Sequence, residues 1–176
     1  TAGSTVPLLR RVSVFGVRSG DGPGGIPINK SAQAAAVTAA ATSAAYRLTV
    51  SYGDASVSLT RDDLLAMTQR TERLPIACVE GWSASGDWTG VRLRDLLDLV
   101  GAPRGRAVTI GSLQPEGAFR ESHLQDNFAD DDRTLLALHL DGEPLALDHG
   151  YPCRLIAPDR PGVLQTKWVS TVEVAS

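Results

Sequence analysis

Over residues 46–59 the apolar positions alternate: Leu48, Val50 and Tyr52 are separated by Thr49 and Ser51, and Val57 and Leu59 follow the pair Gly53-Asp54. Side chains two apart share a face of a strand, so the pattern predicts a β-hairpin turning at Gly53-Asp54. Thr60 then stands before Arg61, Asp62, Asp63, Leu64 and Leu65. A threonine hydroxyl can accept from the free amides of a helix start, and two aspartates suit its positive end, so a short helix is expected. The rhythm changes at Leu93, Leu96, Leu97 and Val100, which fall at i, i+3, i+4 and i+7. That spacing predicts an amphipathic helix stopped by Gly101 and Pro103.

The remaining elements rest on shorter runs. Residues 12–17 read as a strand, 21–27 as a glycine- and proline-broken loop, and the alanine-rich run 32–45 as helical by propensity without an apolar stripe. Residues 74–79 read as a buried strand that runs into a polar loop over 80–88 carrying Trp82 and Trp88. Strands are expected at 107–110, 135–140, 153–157 and 168–174, with Asp141-Gly142 closing a hairpin. Residues 114–132 read as loop with one helical turn near Ser122. Strands mixed with a few short helices, without βαβ alternation, predict an α+β fold with mixed β-sheets.

Composition narrows the function classes. A chain of 176 residues suits one domain, and its 43% hydrophobic and 21% charged content is that of an ordinary soluble protein. The net charge of −3 argues against a nucleic-acid partner. A membrane span needs about 20 mainly apolar residues, and the run 34–45 is shorter and carries Thr38, Thr42 and Ser43. The chain opens on Thr1 rather than Met, so it is expected to be a piece of something longer. Two cysteines, Cys78 and Cys153, allow either a disulfide or two thiols and leave the compartment open.

Two features offer chemistry. Cys78 ends an apolar run just before a polar loop, a place from which a thiolate could serve as nucleophile or soft-metal ligand. The pattern alone favours a buried structural cysteine there, and that reading is stronger still for Cys153. His149, Arg154, Arg160 and Lys167 form a loose basic set in which Gly150 and Gly162 would let backbone amides approach an anion. An ordinary solvated surface is the alternative. His123, His139 and His149 are too far apart for a zinc motif, and the aspartates at 126, 130, 131 and 132 read as a solvated loop.

Several stretches resemble the sulfite oxidase family. Cys78-Val79-Glu80-Gly81-Trp82-Ser83 followed by Trp88-Thr89-Gly90-Val91-Arg92-Leu93 is similar to its metal-ligand loop and next helix. Gly142-Glu143-Pro144-Leu145, Asp148-His149-Gly150-Tyr151-Pro152-Cys153-Arg154-Leu155-Ile156 and Lys167-Trp168-Val169 continue the likeness in the same order. It spans roughly residues 46–174, with a thinner portion over 1–45, and implies one molybdopterin-binding domain over 1–176.

The resemblance implies that Cys78 ligates molybdenum beside the dithiolene of a single molybdopterin, and that it is the catalytic position. It implies cofactor-binding roles for Asn29, His149, Arg154, Gln165, Thr166 and Lys167, with Gln114 near a further contact. Sulfite-oxidizing members carry arginines just after the cysteine, whereas residues 79–83 carry none. The loop looks more like the bacterial branch that includes a periplasmic protein-methionine-sulfoxide reductase. The family's C-terminal dimerisation domain is expected to be absent from this chain. Oxygen-atom transfer of reductase type is therefore the expected activity, on a small molecule or an oxidized side chain. Electrons would pass through a separate partner, which could be membrane-bound. An extracytoplasmic location is expected, as the soluble domain of a membrane-anchored protein. A sulfite oxidase, a non-catalytic module of the same fold and a thiol enzyme using Cys78 are the competing readings.

Overall fold

The computed structural model describes residues 30–77, 83–161 and 164–176. The strand expected at 12–17 and the loop at 21–27 lie outside them. The alanine-rich run forms turns and one short helix, α1 (Thr38–Thr42), whose buried side is a single alanine, Ala41. Without an apolar stripe nothing drives a longer helix to pack. The hairpin forms as expected from β1 (Leu48–Tyr52) and β2 (Ala55–Leu59), paired Leu48 to Leu59 through Tyr52 to Ala55. Next, α2 (Arg61–Ala66) is closed by a capping box: the Asp63 amide donates to the Thr60 hydroxyl at 3.0 Å, and the Thr60 amide donates to the Asp63 carboxylate at 2.9 Å.

Two strands here are longer than the apolar run suggests. β3 (Gln69–Ala77) and β4 (Ser83–Arg92) pair along their whole length, from Gln69 with Val91 to Ala77 with Ser83. The polar loop expected over 80–88 is thus corrected: from Ser83 onward it is strand. Gly86, Trp88 and Gly90 are buried in alternation, and small residues at two of these positions hid the period. Gly90 has no room for a side chain, since a Cβ would lie 2.0 Å from the Leu136 carbonyl oxygen of the adjacent strand. The helix α3 (Leu93–Leu99) follows directly, buries Leu93, Leu96 and Leu97, and ends before Gly101 at φ +69°.

The rest of the chain completes two sheets. β5 (Val108–Ser112) pairs with β6 (Glu121–Leu124), so Ser122 lies in a strand and not in the expected helical turn; a four-residue helix, α4 (Asp126–Ala129), follows it. β7 (Leu135–Leu140) turns at Asp141-Gly142, both at positive φ, into β8 (Glu143–Pro144). β9 (Arg154–Ile156) and β10 (Val169–Val174) are the last two strands. One sheet runs β2-β1-β10-β5-β6, with β1 and β10 parallel and its other pairs antiparallel. The other runs β3-β4-β7-β8, with β9 also on β7. This is the α+β architecture with mixed sheets.

One apolar core joins Leu48, Val50, Leu96, Ile110, Leu138 and Val172 of both sheets and α3. A second packs Trp88, Leu135, Leu140 and Ile156 on the second sheet. A third sets Trp168 against Ala32, Ala35, Val37 and Ala41, which anchors the residues before β1. The aspartates read as a solvated loop are instead partly ion-paired. Arg94, 2% exposed, reaches Asp98 and Asp130 at 2.9 Å, and Arg92 reaches Asp132 at 2.9 Å. They tie α3 to the segment after β6, because a buried guanidinium requires acceptors.

Candidate functional site

The site is built around a tight turn. Residues Leu147–His149 form one turn of 3-10 helix that ends at Gly150 with φ +117°. A Cβ on Gly150 would lie 3.1 Å from the Arg154 Cβ and 3.2 Å from Cβ and Cγ of Lys167. Glycine is required twice over, for the backbone angle and for the close approach of two cationic side chains. Tyr151-Pro152 is a cis bond that leads into β9.

Arg154 is buried in β9, donates from Nε to the Gln165 carbonyl at 3.1 Å, and lies over the Trp88 ring with Cζ 5.7 Å from its centroid. Burial pulls its pKa down to about 10. Lys167 donates from Nζ to the Asp148 carbonyl at 3.0 Å and to the Lys30 carbonyl, and lies 4.6 Å from the Trp168 ring centroid. Burial, then the neighbouring Arg154 guanidinium, push its ammonium down to about 7. His149 is 1% exposed, with its carbonyl 3.5 Å from Nη1 of Arg154. The expectation of an ordinary solvated surface is thus corrected for this part of the basic set. Folding concentrates positive charge where water is scarce, an arrangement that fits a phosphate-bearing anion.

Gln165 and Thr166 brace the same turn from behind. The Gln165 amide accepts from the Ala157 amide at 3.2 Å and donates to the Arg160 carbonyl at 2.9 Å. Thr166 shares a 2.8 Å hydroxyl contact with Ser122, and the Leu155 amide donates to its carbonyl at 2.8 Å. Both side chains are buried and occupied with protein groups, so they set the position of Lys167. Arg160 lies apart, stacked over Phe128 at 5.6 Å. Gln114 is buried near Lys30: its Nε2 donates to the Glu116 carbonyl at 2.5 Å.

Cys78 and Asn29 lie outside the described residues. Their chain neighbours do not: Ala77 and Ser83 are a paired end of β3 and β4, and β4 carries the Trp88 that Arg154 covers. Lys30 supplies a carbonyl to Lys167, and the Ala32 amide donates to the Asp148 carboxylate at 2.8 Å. Lys30 and Ser122 are site-building residues that the sequence did not single out, whereas Trp88 and Asp148 stand in the motifs that carried the resemblance. The contact between Lys30 and Lys167 spans 137 positions, and no local pattern carries such a signal. Cys153 is a buried free thiol 3.3 Å from the Tyr46 hydroxyl, and burial pushes its pKa up to about 12, which suits a structural cysteine.

Comparison with known proteins bears on this arrangement. A family profile described as oxidoreductase molybdopterin binding domain matches residues 34–176. The chain is 34% identical over 131 residues to the protein-methionine-sulfoxide reductase catalytic subunit MsrP of Xanthomonas campestris, covering 66% of this chain and 40% of that protein. It is 32% identical over 112 residues to a sulfite oxidase of Arabidopsis thaliana, covering 53% of this chain and 28% of that protein. The chain therefore spans less than half the length of either relative. Among solved structures, the sulfane dehydrogenase SoxCD of Paracoccus pantotrophus matches with a TM-score of 0.65 and 25% identity, over 73% of this chain and 38% of that one.

Proposed function

The chain belongs to the oxidoreductase molybdopterin-binding domain family, and from that premise we propose that it performs oxygen-atom transfer of reductase type with one molybdenum-molybdopterin. The observation that carries this reading is the convergence of buried Arg154 and His149 and half-buried Lys167 on the Gly150 turn. Arg154 and Lys167 would hold the terminal phosphate, the guanidinium as a planar fork and the ammonium as a point charge. His149 and the glycine backbone would close the cradle. Gln165 and Thr166 would hold the segment that carries Lys167 in place, and Asn29 would add a contact beside Lys30. Cys78 would give its thiolate to the metal, a soft ligand for a soft-binding centre. When bound, the group supplies the redox chemistry of the transfer.

The substrate proposed is a small oxygen-bearing molecule or an oxidized side chain, on the strength of residues 79–83 and the reductase relative. A sulfite-oxidizing reading is favoured by the Arabidopsis relative. It needs cationic groups around the substrate dianion, and the sequence after Cys78 offers Glu80 there instead. Electrons would come from a separate protein. The domain would work outside the cytoplasm, carried by a membrane-anchored protein; no helix among the described residues is long and apolar enough to cross a membrane.

The test is metal content. Protein made in a host that assembles molybdopterin should carry stoichiometric molybdenum, and Cys78→Ser should lose metal or bind it weakly while its circular dichroism stays native. A folded wild-type chain without molybdenum from such a host would overturn the reading. Parallel assays with methionine sulfoxide and with sulfite separate the two substrate classes.

A further inference from the structure

A second cationic group lies at the start of α2, against Tyr151. α2 begins with Arg61, whose side chain lines a cavity of about 360 Å³ together with Thr42, Ser43, Arg47, Asp62 and Tyr151. Its guanidinium packs over the Tyr151 ring, with Cζ 5.1 Å from the centroid. Nε and Nη2 are sealed from solvent, and neither has a hydrogen-bond partner among the described residues. Asp62 is exposed and leaves both nitrogens unanswered. Arg47 spends its Nη1 on the carbonyls of Ala44 and Tyr46, at 3.0 and 2.7 Å.

Donors on a charged group are costly to bury without acceptors, and folded proteins seldom leave them so. The charge is also felt locally. After burial, Arg61 is the next cause that holds the His139 pKa below its ordinary value, and it draws the Cys153 thiol down against burial. We infer that Arg61 and its cavity form a site for a small oxyanion, a carboxylate or a tetrahedral sulfate or phosphate. The planar guanidinium offers a fork that matches a pair of oxygens, and the Ser43 and Thr60 hydroxyls, which accept from the Ala45 and Asp63 amides, keep a hydrogen to donate to the rest. This site is separate from the Lys167 cradle. None of Lys30, Asp148, His149, Arg154 and Lys167, which form that cradle, lines this cavity. The inference does not depend on the cofactor.

Isothermal titration of the full chain with acetate, sulfate and phosphate, at ionic strength held by chloride, tests it. The expected result is saturable binding of at least one oxyanion and a matching rise in Tm. Acetate alone would identify a carboxylate ligand; sulfate or phosphate, a tetrahedral one. Arg61→Gln should weaken binding about tenfold or more, as loss of a charge-assisted fork requires. Arg61→Lys keeps the charge without the fork and should fall between, which preserves the test should the glutamine variant not fold. Lys167→Gln should remove only any binding at the Gly150 turn and leave the component that Arg61→Gln weakens. No saturable binding to wild type, equal binding to Arg61→Gln, or loss in Lys167→Gln alone would overturn the assignment.

Discussion

Lys167 carries the clearest pH signature of the site. Its ammonium falls to about 7 in the fold from an ordinary 10.5, chiefly through burial. Between these values the unfolded chain holds a proton that the folded chain has released, so stability should rise with pH across that window. Below about 7 both states are charged, and the burial penalty is present in full. Urea unfolding at neutral and alkaline pH should show this rise in wild type and not in Lys167→Gln. Affinity for a phosphate-ended pterin should move the opposite way, weakening as pH climbs past 7, because the anion selects the charged lysine. Gly150→Ala offers a second check. Positive φ and the 3.1 Å approach to Arg154 make a methyl group costly there, by roughly 1–3 kcal/mol, with cofactor content falling in step. Legibility at this scale was uneven. The residues of the basic set stand in one stretch of sequence, but their burial and the Lys30 and Trp88 contacts come from segments far away in the chain, which no local pattern encodes.

Elements with a strong rhythm and a clear cap appear where their spacing puts them. Leu93, Leu96 and Leu97 face the core from α3, and Thr60 closes α2 with Asp63. Thr60→Ala should therefore cost about 1 kcal/mol in a denaturant titration, with the spectrum of the folded state unchanged. The misread elements share a cause. In β4 the buried positions include Gly86 and Gly90, so Trp88 alone between them could not display the alternation. In β6, Ser122 is buried by its contact with Thr166, and a four-residue strand is too short for periodicity to register. Trp88 fills the core at 0% exposure and also carries the Arg154 stack. Trp88→Ala should thus cost about 3–5 kcal/mol, and calorimetry should show it as one of the largest losses in the sheet.

At the scale of the molecule, a mixed sheet and an antiparallel sheet share a core, and β9 with the turn before it presents its cations next to the strand that leads away from Cys78. The α+β class was legible because alternation and helical spacing occur in separate stretches. The parallel pairing of β1 with β10 was not, since it joins residues more than a hundred positions apart. The ordered motifs from Cys78 to Lys167 made the family legible before any contact was known. The proposed assignment puts molybdenum on Cys78 and the pterin phosphate on Arg154 and Lys167. X-ray absorption at the molybdenum edge, on wild type and Cys78→Ser, tests it most directly. One sulfur neighbour should be lost in the variant, and metal content should fall in Lys167→Gln with the metal's ligands unchanged. An unaltered sulfur shell in a folded Cys78→Ser protein would contradict the account.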